Sequence, residues 1–204
     1  QTGSLSTSLT EKQVVFDMWN NETSSSVDYG RITIELDGTA AGSPFLITAQ
    51  SGATSASAQT IFTSSIGTDV DLSSLGGWKH YAIALHNSGS NFIAKLYVDG
   101  VLDDTNTYAS VNLGELTSKN MMGRIGGLLT APSGSAVGGT LPASYVGGGK
   151  LSGSVDEFRF WKATRDAYNI NRKWFTQIRG GVNLDISNTT LGMYYKFNEG
   201  ITGT

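Results

Sequence analysis

The 204-residue chain contains no cysteine, which excludes disulfide staples and thiolate metal sites and leaves packing to hold the fold. Charge is also sparse: 15% of residues are charged, against about 25% in an average soluble domain. Positive charge is scarcer still, with 14 Lys and Arg against 17 Asp and Glu for a formal net charge of -3. That scattered minority lacks the clustered basic surface on which nucleic-acid affinity rests, so no nucleic-acid partner is expected. No run approaches the roughly 20 apolar residues of a membrane-spanning helix, so no membrane insertion is expected. The opening QTGSLSTSLT has neither the basic start nor the apolar run of a signal peptide.

What fills the chain instead is Gly, Ser, Thr and Asn between short alternating segments, the profile of many turns joining many strands. QVVFDMW, residues 13 to 19, puts Val14, Phe16 and Met18 on one face and Val15, Asp17 and Trp19 on the other, a strand buried on most of both faces. RITIEL, residues 31 to 36, points Ile32, Ile34 and Leu36 inward and Arg31, Thr33 and Glu35 outward. Asp37-Gly38 offers a turn before the returning strand PFLITAQ. The small, polar stretch at residues 51 to 59 reads as a loop. WKHYAIAL (78 to 85) and FIAKLYV (92 to 98) are the strongest strands, and Asp99-Gly100 closes the second with a tight turn.

Residues 126 to 150 form a long Gly, Ser and Pro stretch without regular periodicity, of the kind that is functional or mobile in compact domains. LSGSVDEFRFW, residues 151 to 161, returns to strand. Ala163, Ala167, Ile170 and Trp174 then make the stripe of an amphipathic helix, which Gly180-Gly181 would stop. The chain closes on LGMYYKF, with Leu191, Met193, Tyr195 and Phe197 on one face. The expected fold is an all-β antiparallel sandwich with one short helix near the C-terminal end. Residues 1 to 204 read as one domain, in which 191 to 204 are a closing strand or the start of a following module. The start at Gln1 and the end at GITGT read as a processed product or a piece of something longer.

Four segments in this order resemble the LamG-like branch of the concanavalin A-like lectin and glucanase superfamily: Trp78 to Ala82, Leu96-Tyr97-Val98-Asp99-Gly100, Arg124-Ile125-Gly126, and Gly153 to Phe160. Phe16 to Trp19 is similar to that family's opening tryptophan strand. The resemblance implies a jelly roll of two curved sheets whose concave face or rim loops commonly bind glycans, often with calcium. Trp174-Phe175-Thr176-Gln177 and Tyr194 to Gly200 resemble LamG-type domains of tailed-phage structural proteins. That implies a virion-surface or extracellular location, with glycan or other virion and extracellular protein chains as partners.

The superfamily's glucanases carry catalytic carboxylates at alternating positions of one strand, and retaining chemistry needs two of them about 5 to 5.5 Å apart. Asp156 and Glu157 are adjacent and so point to opposite faces of a strand, which leaves no pair and no expected enzyme activity. Asp156 is expected to be a structural, partly buried carboxylate beside Phe158, and Glu157 to pair with Arg159. His80 and His86 lie roughly 20 Å apart along a strand, too far to share a metal. Calcium takes oxygen ligands that loops supply, and Asn20, Asn21, Glu22 and Asp28 flank one candidate loop while Asp103 and Asp104 flank another. A glycan site wants an aromatic platform with amides nearby; Tyr108 beside Asn106, and Tyr145 in the long loop, are the candidates. Trp78 and the other tryptophans are expected in the core, and Gly100 as a structural turn residue.

Overall fold

The computed structural model describes residues 12–23, 26–37, 42–54, 57–68, 70, 78–115, 120–130, 149–178 and 190–197. In chain order the strands are β1 (Gln13–Trp19), β2 (Gly30–Leu36), β3 (Phe45–Thr54), β4 (Ser57–Ile66), β5 (Tyr81–Ser88), β6 (Asn91–Val98), β7 (Val101–Tyr108), β8 (Met122–Ile125), β9 (Phe158–Trp161) and β10 (Leu191–Tyr195), with helix α1 (Ala167–Lys173) between the last two. Every pairing is antiparallel. The first layer is the sheet β4-β3-β2-β1-β8, and the second consists of β5-β6-β7 and the separate pair β9-β10.

The layers meet through aromatic rings. Phe45 of β3 lies 5.0 Å from Tyr81 of β5, Phe62 of β4 lies 5.4 Å from Phe92 of β6, and Phe16 of β1 lies 5.3 Å from Phe158 and 5.8 Å from Phe160 of β9. Ile32, Ile34, Ile47 and Leu96 complete a core of residues no more than 9% exposed. The chain is therefore an all-β antiparallel sandwich, as its alternating segments predict.

Local detail departs from the pattern where a turn or bulge intervenes. β1 carries a bulge, since Val14 pairs with Glu35 but Phe16 with Ile34. The extra residue puts Val15 against the core and turns Val14 to the opposite face, where it meets Leu128. Residues 51–54 and 57–59, part of the stretch expected as a loop, are the ends of β3 and β4, paired as Ala53 with Ala58 and Thr54 with Ser57, because a backbone ladder needs no apolar periodicity; residues 55 and 56 lie outside the described residues. β2 and β3 are joined by residues 37 to 44, of which 38 to 41 lie outside the described residues. Among the described residues, two-residue turns are made by Gly89-Ser90, with positive φ at Gly89, and Asp99-Gly100, with positive φ at both, the pattern that matches the strand twist.

The outward face of β2 is not solvated. Arg31, Thr33 and Glu35 are 1%, 1% and 0% exposed, because Leu128 to Thr130 fold across that side of the first sheet. Asp17, fully buried, grips Arg31 through Nε at 2.8 Å and accepts the Leu129 N–H at 2.8 Å. Burial opposes the Arg31 charge, but the Asp17 carboxylate overrides it and holds the guanidinium above its ordinary value. LSGSVDEFRFW is strand only from Phe158 onward, since Glu157 has φ of +53°. Helix α1 starts at an Asp166 cap whose side chain accepts the Asn169 N–H, and it ends at Lys173, ahead of the Gly180-Gly181 stop, which lies outside the described residues.

Candidate binding groove

Among the described residues, the facing edges of β5 and β9 have no strand partner, and a groove of about 970 Å³ opens between them. Its floor is the core side of the first sheet, including Phe16 of β1, Ile32 and Ile34 of β2 and Phe45 of β3. Helix α1 forms the roof through Asn169, Ile170, Lys173 and Trp174. The amphipathic stripe explains that placement: Ile170 is buried with Ala84 of β5 and Tyr97 of β6.

Trp174 fixes one end. Its indole lies 5.7 Å from the His80 ring and presses so closely on Gly100 that a Cβ there would meet Cδ1 at 2.2 Å. Only glycine fits beneath it, and Gly100 also needs its φ of +82° for the turn. Asp99 accepts the His80 N–H at 2.9 Å and the Lys79 ammonium at 2.9 Å, contacts that hold its carboxyl below the ordinary value despite partial burial. Burial, reinforced by Arg159, pushes the His80 imidazole down.

The β9 wall carries a polar cluster. Glu157 accepts Arg159 at 3.0 Å and the Tyr194 hydroxyl, and Arg159 also donates to the carbonyls of Lys173 and Thr176. Burial works to raise the Glu157 carboxyl, but Tyr194 and Arg159 outweigh it and keep it below the ordinary value. Arg165 lies over the Trp161 ring, 4.4 Å from its centroid. Lys162, Arg165 and Lys173 have no carboxylate at ion-pair distance among the described residues, so the groove is a basic site on a net acidic chain.

The residues singled out in the sequence fall in several places. Trp78 is on the groove but 59% exposed, not in the core, because β5 begins only at Tyr81. Asp156 also lines the groove; it is exposed on the turn before β9 and accepts the Glu157 N–H, so it does not share a buried face with Phe158. Tyr108 and Asn106 are on β7, at the opposite edge of the β5-β6-β7 sheet. One face of Tyr108 is stacked on Phe62 at 4.0 Å, and Asn106 donates to the Ser65 carbonyl. Tyr145 lies outside the described residues.

Of the calcium candidates, Asn20 is buried, with its amide given to the Asp28 carbonyl and its oxygen taken by the N–H groups of Glu22 and Gly30. Asn21 turns the chain with φ of +62°, and Glu22 accepts the Trp19 indole through its carbonyl. Asp103 and Asp104 accept the N–H groups of Thr68 and Gly67, stitching β7 to the end of β4. The side-chain oxygens of Asn20, Asp103 and Asp104 thus hold backbone in place. Among the described residues, no group of three or more His, Asp or Glu is placed to hold a metal ion.

Sequence reasoning missed the basic roof and the Glu157–Arg159–Tyr194 cluster. Its signals were present in the helix stripe ending at Trp174 and in the i, i+2 spacing of Glu157 and Arg159. Neither says which strand lies opposite.

No family model matches the chain, and none of the curated proteins it was compared with matches it. Among solved structures, it is similar to part of an S-layer domain-containing protein from Clostridium thermocellum, at 21% identity and a TM-score of 0.32, over 81% of this chain and 64% of that one.

Proposed function

We propose that this domain is a non-catalytic structural and adhesive module of the LamG-like, concanavalin A-like kind, displayed on a virion surface as part of a tail, fibre or capsid decoration, where it joins other protein chains. One observation carries the non-catalytic reading. Glycoside hydrolysis needs a carboxylic acid held above its ordinary pKa within reach of a second carboxylate. On the groove, Glu157 is held low by Arg159 and Tyr194, and Asp156 is exposed on a turn. Among the described residues, the carboxyl that is raised, Glu35, is fully buried on the far face of the first sheet. The family-like motifs and the phage-like closing segments support the location.

Expected outcomes are recovery of the chain from purified particles and no reducing-end release from β-glucans. Measurable release, or a genomic setting without virion genes, counts against the reading. A second reading, an extracellular carbohydrate-binding module of a secreted bacterial enzyme or adhesin, is favoured by the exposed Trp78 and the Arg165–Trp161 stack at the groove rim. A glycan array with and without chelator separates the two, because a purely architectural domain retains no glycan in either condition.

A further inference from the structure

We infer that Lys12 and Asp37 become joined by an amide bond between their side chains, formed inside the folded domain with Glu35 carrying the protons. The modification is independent of where the domain is displayed, and it gives a chain without cysteine a covalent staple of another kind.

Strand register brings the three groups together. Gln13 pairs with Leu36 and Val14 with Glu35, so the next positions outward, Lys12 and Asp37, stand opposite each other at the ends of β1 and β2. Their side chains meet as Nζ to Oδ2 at 3.8 Å, each only 17% exposed. Glu35 is two residues from Asp37 on the same face and diagonal to Lys12, a separation of about 7–8 Å that long side chains span. It is fully buried, and neither of its carboxylate oxygens is committed to a hydrogen bond. Val14, opposite Glu35, is packed with Leu128, and both are fully buried, so apolar side chains shut water out on that side.

Condensing an amine with a carboxyl expels one water and needs a group that moves protons. The Lys12 ammonium passes a proton to the Asp37 carboxylate, and the freed lone pair attacks Cγ, forming the C–N bond. Glu35 relays a second proton from that nitrogen to the departing hydroxyl; the C–O bond breaks and the carbonyl re-forms as water leaves. One ammonium and one carboxylate become one amide and one water, with Glu35 unchanged. Burial, against the opposing charges of Lys12 and Arg31 and with those of Asp17 and Asp37, holds the Glu35 carboxyl up at about 7, where it both gives and takes a proton near neutrality. Held side by side, reacting groups reach effective concentrations of about 10⁵ M or more, which offsets the competition of bulk water. Proximity alone is not the criterion. Lys79 and Asp99 are closer, at 2.9 Å, but Lys79 is 56% exposed and Asp99 is held below its ordinary value by the His80 N–H and Lys79, so that pair stays ionic.

The test is mass spectrometry on the intact, purified chain after overnight incubation at pH 7. Its mass should be one water below that of the sequence, and a protease digest should contain a branched peptide that joins Lys12 to Asp37. Lys12→Arg and Glu35→Gln should each keep the full mass, with a cooperative thermal melt showing that the variant is folded. Lys12→Arg changes a partly exposed side chain and keeps its charge, so it serves even where Glu35→Gln disturbs folding. A full mass in the parent chain overturns the inference. Water loss that survives Lys12→Arg overturns it in favour of a succinimide at Asp37-Gly38. A branched peptide that forms as fast in folded Glu35→Gln, or one that joins Lys79 to Asp99, overturns the part assigned to Glu35.

Discussion

Glu35 is fully buried on the outer face of the first sheet, and neither carboxylate oxygen has a hydrogen-bond partner. Burial pushes its pKa from 4.5 up to about 7. The unfolded chain releases this proton as pH rises past 4.5, while the folded chain keeps it until about 7. The stabilising effect is therefore whole below pH 4.5, falls between those values and is gone above them, a difference of about 3 kcal/mol. Glu35→Gln should flatten this part of the pH profile and raise the urea midpoint at pH 8. Equal midpoint differences between variant and parent at pH 4.5 and pH 8 would show that Glu35 does not titrate in this way. Nothing in RITIEL marks Glu35 as buried. Alternation separates two faces but does not say whether the second is wet, and Leu128 to Thr130, which cover it, are about 95 residues downstream in a stretch without periodicity.

At the scale of elements, the sequence was most legible where a turn and its strands agree. Asp99-Gly100 is a two-residue turn with both residues at positive φ, as the pair predicts. Gly100→Ala should destabilise the domain by ~2–4 kcal/mol, from left-handed strain and collision with Trp174. Gly89→Ala is the control: it shares the positive φ, but its Cβ meets nothing within 4 Å, so it should cost only ~1 kcal/mol. Thermal melts of both variants check this, and equal losses would remove Trp174 from the explanation. Legibility failed where spacing is interrupted. The bulge at Val15 moves Val14 to the other face, and the positive φ of Glu157 ends the strand expected through 151 to 161. Both are backbone choices that side-chain period does not encode. Trp78 was misplaced for a related reason: its apolar segment is continuous with β5, but hydrogen bonding starts three residues later.

Across the whole molecule, the order of strands in the second layer was beyond the sequence, because pattern identifies strands and does not pair distant ones. The groove depends on that order. It is also the basic part of an acidic chain, so occupants with acidic faces should bind more weakly as salt rises. The β1 contacts reach far along the chain: Asp17 to Leu129 spans 112 residues, and Gln13 to Ser152 spans 139. Folding dominated by such pairings proceeds in milliseconds to seconds, and stopped-flow tryptophan fluorescence should record it in that range. A submillisecond phase carrying the full amplitude would contradict it.

The Asp17–Arg31 pair has a consequence during synthesis. At about 5–20 residues per second, the ribosome needs on the order of ten seconds after making Asp17 to deliver the Leu129 amide that encloses it. Throughout that interval β1 and β2 are available for pairing while the cover for their outer face is still unmade. Their ionic outer face is then wet, and burying it against another half-built sheet would strip those charges of water, which disfavours face-to-face association. The same charges are sealed away in the finished domain, so a pair that contributes little net stability when buried protects the chain while it is being made.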